Sequence, residues 1–288
     1  MDEALRKKLL IAQKNEMSEY FVYKRLAASV KEKHNKDILN KIATDEFKHY
    51  SIWKKYTKVE VKPSSWQITK NYLFSKVFGL TFGLKFMERG EQKAQLNYDM
   101  IAKVVPEAKK VMQDEHEHET KLINLLDEEL LQYISSIVLG LNDALVELTG
   151  VLAGLTLALQ NSQLIAIAGL VTGIAAALSM ATSQYLSKKS EEGANNPIKA
   201  SVYTGIAYLF AVILLIFPYL ILKNLYIALG WTIINAIIII FFFTFYISVA
   251  KDYSFRKRFL EMIAISLGVA LLSFGMGLII RIFFGVQV

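Results

Sequence analysis

The alternation of apolar and polar residues changes character once along the chain, near residue 132. Upstream, apolar residues are interspersed with charges and the segment reads as four water-facing helices. The first is expected from Asp2 to Lys33. A break at His34-Asn35, with Asn35 as the cap, leads to a second helix from Lys36 to Tyr56. A polar connection with Pro63-Ser64-Ser65 leads to a third, Trp66 to Lys103, bent near Gly79 or Gly83. Pro106 suits the first turn of a fourth, which runs to about Leu130. Downstream lie five long runs with almost no charge: Tyr133 to Leu159, Leu164 to Tyr185, Val202 to Leu222, Tyr226 to Ala250 and Leu260 to Phe284. A helix crosses a bilayer with about 20 mostly apolar residues. Buried helices of a soluble protein would not come as five such runs in succession. The pattern predicts an all-α protein, with a soluble four-helix domain over 1–131 and a five-span membrane domain over 132–288.

Composition sharpens the division. Residues 1–132 hold 24 of the 33 Lys/Arg, 20 of the 26 Asp/Glu and all four histidines. There is no cysteine, which excludes disulfides, thiolate zinc sites and iron–sulfur ligation. Any metal must be held by carboxylate, imidazole, thioether or carbonyl groups. The net charge of +7 is spread along helices and mixed with acids, and no base-reading motif is present, so nucleic acid is not an expected partner. The start of the chain is charged and has no apolar core of the signal-peptide kind. Lys and Arg favour the cytoplasmic side of a membrane. The second inter-span connection carries Lys188, Lys189 and Lys199, and the fourth Lys251, Arg256, Lys257 and Arg258, whereas the first and third carry none and one. The expected arrangement is a multi-pass cell-membrane protein with a cytoplasmic N-terminal domain and the C-terminus outside.

Charges inside a span are costly and usually functional. Asp143 and Glu147 stand four residues apart, on one face of the first span. Asn142 adds a polar group, and Gly140, Gly150 and Gly154 allow close helix packing. Since this span is long, the alternative is that the two acids sit near a water interface. Met180, with Ser179, Thr182 and Ser183 on the second span, could join a metal path, although a lone Met in an apolar helix is more often packing.

The soluble half carries a repeated pattern. Its helices hold Glu16-x-x-Glu19, Glu46-x-x-His49, Glu88-x-x-Glu91 and Glu115-x-x-His118. Three-residue spacing sets each pair on one helical face. The intervals from Glu16 to Glu46 and from Glu88 to Glu115 are similar, as in a duplicated helix pair. At this frequency of Glu, four histidines would give well under one Glu-x-x-His by chance, and two are present. A carboxylate from each of two helices plus Glu-x-x-His from each of two others builds a dinuclear iron or manganese site in a helical bundle. The candidate ligands are Glu16, Glu46, His49, Glu88, Glu91, Glu115 and His118. Glu19, His116 and Glu117 come second.

These residues carry a resemblance. Glu16 with Tyr23, and Glu91-Gln92-Lys93-Ala94 with Tyr98, resemble the ligand helices of the rubrerythrin branch of ferritin-like proteins. Gly140-Leu141-Asn142-Asp143 with Gly150, and Ser179-Met180-Ala181 with Gln184-Tyr185-Leu186-Ser187, resemble the first- and second-span motifs of the vacuolar iron transporter family. Together the halves resemble the membrane-bound ferritins, a rubrerythrin domain fused to such a transporter. The resemblance implies a ferritin-like bundle, and it makes Asp143 and Met180 part of a metal path. Two positions depart from the family pattern: Gln184 stands where Glu is common, and Thr172 where some relatives have an acid. Both bear on proton coupling. The plant-type transporters carry a metal-binding helical insert between spans two and three; here that connection is short, and the N-terminal bundle is expected to take over its role.

The expected function is export of a divalent metal from the cytoplasm, Fe²⁺ first and Mn²⁺ second. The bundle captures metal at a di-iron site, and Asp143, Glu147 and Met180 carry it through the bilayer in exchange for protons. No nucleotide-binding motif is present. The resemblance also implies a homodimer. The alternative is a membrane-anchored di-iron enzyme, a ferroxidase or peroxide reductase, and a weaker one is a metal sensor that gates the pore.

Overall fold

A computed structural model of the chain describes residues 3–95, 101–102, 105–117, 132–191 and 196–284; of these, the side chains of 91–95, 116–117 and 284 are not described. The described residues form ten helices and no strand. The chain divides into two compact units, Met1–Glu129 and Leu130–Val288.

In the first unit, α1 (Glu3–Ser29) and α2 (Lys33–Thr57) form an antiparallel pair. α3 (Ser65–Phe78), α4 (Leu80–Gln95) and α5 (Ala108–Glu117) follow. Three local details correct the sequence expectations. The break after α1 falls at 30–32, and the cap of α2 is Glu32, whose carboxylate accepts from the backbone N–H groups of Asn35 and His34. Those bonds hold the Glu32 pKa below the usual carboxylate range. Asn35 is instead a first-turn residue. The long third helix is interrupted at Gly79, whose φ of 98° and ψ of 153° are open to glycine and strained for other residues. Gly83 then lets α4 fold back on α3, because a Cβ there would lie 2.6 Å from Ser75 Cα.

Two apolar clusters stabilise this unit. One joins Val22, Leu26, Ile38, Leu39, Ile42 and Leu84 from α1, α2 and α4. The other joins Leu9, Trp53, Val105, Ala108 and Val111 from α1, α2 and the start of α5. Tyr56, which donates to Glu107, ties α2 to the turn before α5. Residues 10–21 of α1 and 44–52 of α2 lie between the two clusters, so any polar layer in that stretch is closed off from water at both ends.

The second unit contains α6 (Ile134–Leu159), α7 (Ser162–Ser190), α8 (Pro197–Ile221), α9 (Leu225–Ala250) and α10 (Phe255–Phe284). All five are long and apolar enough to cross a bilayer. Asn161, Asn196 and Asn224 cap α7, α8 and α9, each accepting from first-turn N–H groups, and Pro197 fills the first helical position of α8. Helix α6 packs against the other four. Its glycines permit this. A Cβ on Gly140 would stand 2.4 Å from the Thr204 carbonyl oxygen of α8. On the opposite side, a Cβ on Gly277 of α10 would stand 2.2 Å from the carbonyl oxygen of Gly154. Hydrogen bonds join the same helices: Thr204 Oγ1 donates to the Ser136 carbonyl (3.0 Å) and Ser266 Oγ to the Leu145 carbonyl (3.1 Å).

Because the neighbour at Gly140 is backbone rather than a flexible side chain, Gly140→Ala is expected to destabilise the membrane unit by about 1–3 kcal/mol. Gly230, with nothing within 4 Å of its added Cβ, serves as the control. Thermal unfolding of detergent-solubilised protein should give a lowered Tm for Gly140→Ala and an unchanged one for Gly230→Ala.

Candidate metal centre

Helices α1, α2 and α5 bring Glu16, Glu46, His49 and Glu115 together in the first unit, with one potential ligand atom from each within 4.8 Å of the others. All four are buried, none more than 4% exposed. The spacing explains the convergence. Glu46 and His49 lie one turn apart on α2, and Trp53 a further turn on continues that face. Glu16 faces them from α1, where the Trp53 indole Nε1 donates to its Oε1 at 2.9 Å. Glu16 Oε2 accepts no hydrogen bond from the described residues and lies 3.6 Å from His49 Nδ1. The same ring nitrogen is 2.8 Å from Glu115 Oε1 and 3.9 Å from Glu46 Oε2. On its other side, His49 Nε2 lies 3.4 Å from Asp114 Oδ2.

The electrostatics of this layer are those of a cation site. Burial raises the Glu16 pKa well above the ordinary carboxylate value; contact with His49 opposes this, and the charges of Glu115 and Glu46 add to the rise. Burial alone would lower the pKa of His49. Its contacts with Glu115, Glu16 and Glu46 more than reverse that, so His49 keeps its proton far above the usual imidazole range. Three carboxylate oxygens and one imidazole nitrogen form a donor set suited to a hard or borderline divalent cation, and the dry surroundings strengthen the attraction.

The remaining expected ligands divide into two groups. Glu19 and Glu88 are buried in the same unit, and the Tyr23 hydroxyl donates to Glu88 Oε1 at 3.3 Å. Neither is in the four-residue cluster. His118 lies outside the described residues, and the side chains of Glu91, His116 and Glu117 are not described. Asp114 and Trp53 were not singled out from sequence. The available signals were adjacency to Glu115 and the i+4 and i+7 spacing from His49 and Glu46.

In the membrane unit, Asp143 and Glu147 share one face of α6, about midway along it. The Tyr208 hydroxyl of α8 donates to Glu147 Oε2 at 2.8 Å. Asp143 is half-buried and Glu147 exposed on the surface of the single chain. Met180 packs at the edge of the buried cluster that includes Leu141, Leu145 and Leu148 of α6. Gln184 is buried and donates to Ser136 Oγ at 3.0 Å, a neutral tie between the first two spans.

A multi-pass helical membrane protein with a buried acidic–imidazole cluster in a separate unit is the class these observations define. A family model, that of the VIT family, matches residues 134–196, which take in α6, α7 and the connection to α8. The chain is similar to this family over that stretch, and the five helices of the unit are long and apolar enough to cross a membrane. No curated protein and no solved structure gives a match.

Metal binding has to displace the His49 proton and leave Glu16 ionised. Both pKa values are raised, so a metal ion competes with protons at both groups. Affinity should therefore rise with pH, by about tenfold per pH unit for each proton released. Calorimetric titration of Mn²⁺ between pH 6 and 8, in buffers of different ionisation enthalpy, should show release of at least one proton. Affinity that does not change with pH would contradict the arrangement.

Proposed function

We propose that the protein exports a divalent metal, Fe²⁺ with Mn²⁺ as the second fit, from the cytoplasm across a cell membrane. The observation that carries this reading is the buried cluster of Glu16, Glu46, His49 and Glu115 in a chain whose other half has five spans and two carboxylates within the first of them. In this reading the N-terminal unit is a ferritin-like, cytoplasmic capture domain. Glu88 and Glu19, buried in the same unit, and Glu91 and His118 are the further ligands of a dinuclear site in this reading. Positive charge at Lys188, Lys189 and Lys199 and at Lys251, Arg256, Lys257 and Arg258 supports a cytoplasmic N-terminus and an outward C-terminus.

Within the bilayer, Asp143 and Glu147 bind the cation in transit and Met180 contributes a thioether. Ionised carboxylates attract the metal, and their protonation releases it, which couples its exit to protons. Gln184 cannot take part as an acid, so the exchange rests on Asp143 and Glu147. Tyr208 orients Glu147 by its hydrogen bond. Exposure of Glu147 along a spanning helix supports assembly as well. A carboxylate turned to lipid at mid-depth costs about 2.5–3.5 kcal/mol. A second copy laid against that face of α6 removes the cost and encloses the path, which favours a homodimer with the conduit at its interface.

Asp143→Ala should reduce the initial rate of Fe²⁺ uptake into proteoliposomes by at least about tenfold, the loss of a charge contact worth about 1.4 kcal/mol. Loading as fast as that of the wild type would overturn the proposed path.

A further inference from the structure

A cavity of about 420 Å³ opens at the end of the membrane unit where α9 turns into α10. That volume falls within the range of roughly 300–1,000 Å³ common to small-molecule sites. Three helices contribute one face each. Ser135, Val138 and Asn142 come from α6, and Phe243, Thr244, Ile247 and Lys251 from the end of α9. Arg258, Glu261, Met262 and Ile265 come from the start of α10, and Tyr253 closes the turn.

Chemistry is graded along its depth. At the mouth, the Lys251 ammonium donates to Ser135 Oγ at 3.2 Å and makes no ion pair among the described residues. Arg258 lies 5.0 Å over the Tyr253 ring and 3.8 Å from Glu261, a pair half-exposed on both sides and so weakly bound. From Lys251 to Glu261 the chain holds four cations against two acids. Asn142 lies two turns in from Ser135, roughly 10 Å along the helix. Its Oδ1 is buried and has no hydrogen-bond partner among the described residues. The wall between is apolar, lined by Val138, Phe243, Ile247, Met262 and Ile265.

We propose that this cavity binds an anionic phospholipid, with its phosphate at Lys251 and Arg258 and an acyl chain along the apolar wall. The cationic mouth repels a divalent metal, so the cavity is not an entrance for the cargo. A free phosphate would satisfy the mouth and leave the apolar depth without a partner. An anionic amphiphile satisfies both, and it enters from the leaflet next to which basic side chains gather. The inference needs only that the five helices lie in a bilayer, and it is independent of metal capture by the other unit. Since Asn142 precedes Asp143, occupancy bears directly on the helix that carries the intramembrane acids.

The test uses full-length protein in detergent, with phosphatidylglycerol and phosphatidylcholine offered in equal amounts and lipid retention read by native mass spectrometry. Wild-type protein should retain phosphatidylglycerol at least fivefold over phosphatidylcholine. Lys251→Gln should abolish that preference. Ile265→Trp, which fills the apolar depth but keeps the charges, should reduce retention of both lipids, with an unchanged Tm in phosphatidylcholine showing that the fold is intact. Equal retention of the two lipids by the wild type would overturn the proposal, as would a preference that survives Lys251→Gln. Displacement of phosphatidylglycerol by millimolar inorganic phosphate would overturn it in favour of a phosphate site.

Discussion

Carboxylates buried side by side repel one another and lose their hydration, so a layer of Glu16, Glu46 and Glu115 persists in a helical core only with positive charge among them. In the metal-free chain that charge is the proton on His49, held 2.8 Å from Glu115 and within 4 Å of the other two. The apolar clusters on either side supply the driving force for packing and exclude the water that would otherwise stabilise the acids. A divalent cation held there would replace one proton charge with two. Helix positions in the first unit follow from this requirement. The α1–α2 pair aligns Glu16 with Glu46 and His49, Trp53 fixes one oxygen of Glu16, and the turn before α5, tied by Tyr56 to Glu107, delivers Glu115.

The membrane unit meets the opposite constraint. Lipid provides no partner for polar groups, so spans pack through small residues and satisfy their hydroxyls on neighbouring backbones. Gly140 and Gly154 bring α6 against α8 and α10, and Thr204, Ser266 and Gln184 join the same helices by hydrogen bonds. The first span, at the centre of the unit, carries Asp143 and Glu147, and Tyr208 gives Glu147 a polar partner.

Much of this was legible in the residues. Five apolar runs announced five helices, and their ends moved by only a few positions because Asn161, Asn196 and Asn224 are ordinary N-caps. Glu-x-x-His on α2 stands out because histidine is scarce in this chain, and its partner Glu16 follows from the repeat. What escaped notice was set by three-dimensional contact. Glu32 caps α2 although glutamate is a less usual cap than the nearby Asn35, because its longer side chain reaches back to two N–H groups. Gly79 stops a helix that Gly83 alone would only have bent, and nothing in the spacing distinguishes the two. Asp114 meets His49 from a separate helix, a contact without a sequence signature. The cavity between α6, α9 and α10 arises only where the three helices meet.

The central claim is that the acidic layer around His49 holds a divalent cation. Anomalous X-ray scattering from crystals of the full-length protein soaked in Mn²⁺ tests it most directly. The account predicts a manganese peak within bonding distance of Glu16, Glu46, His49 and Glu115, lost in crystals of His49→Ala. A well-ordered layer with no manganese among those four side chains, at a concentration that loads other sites in the same crystal, would contradict it.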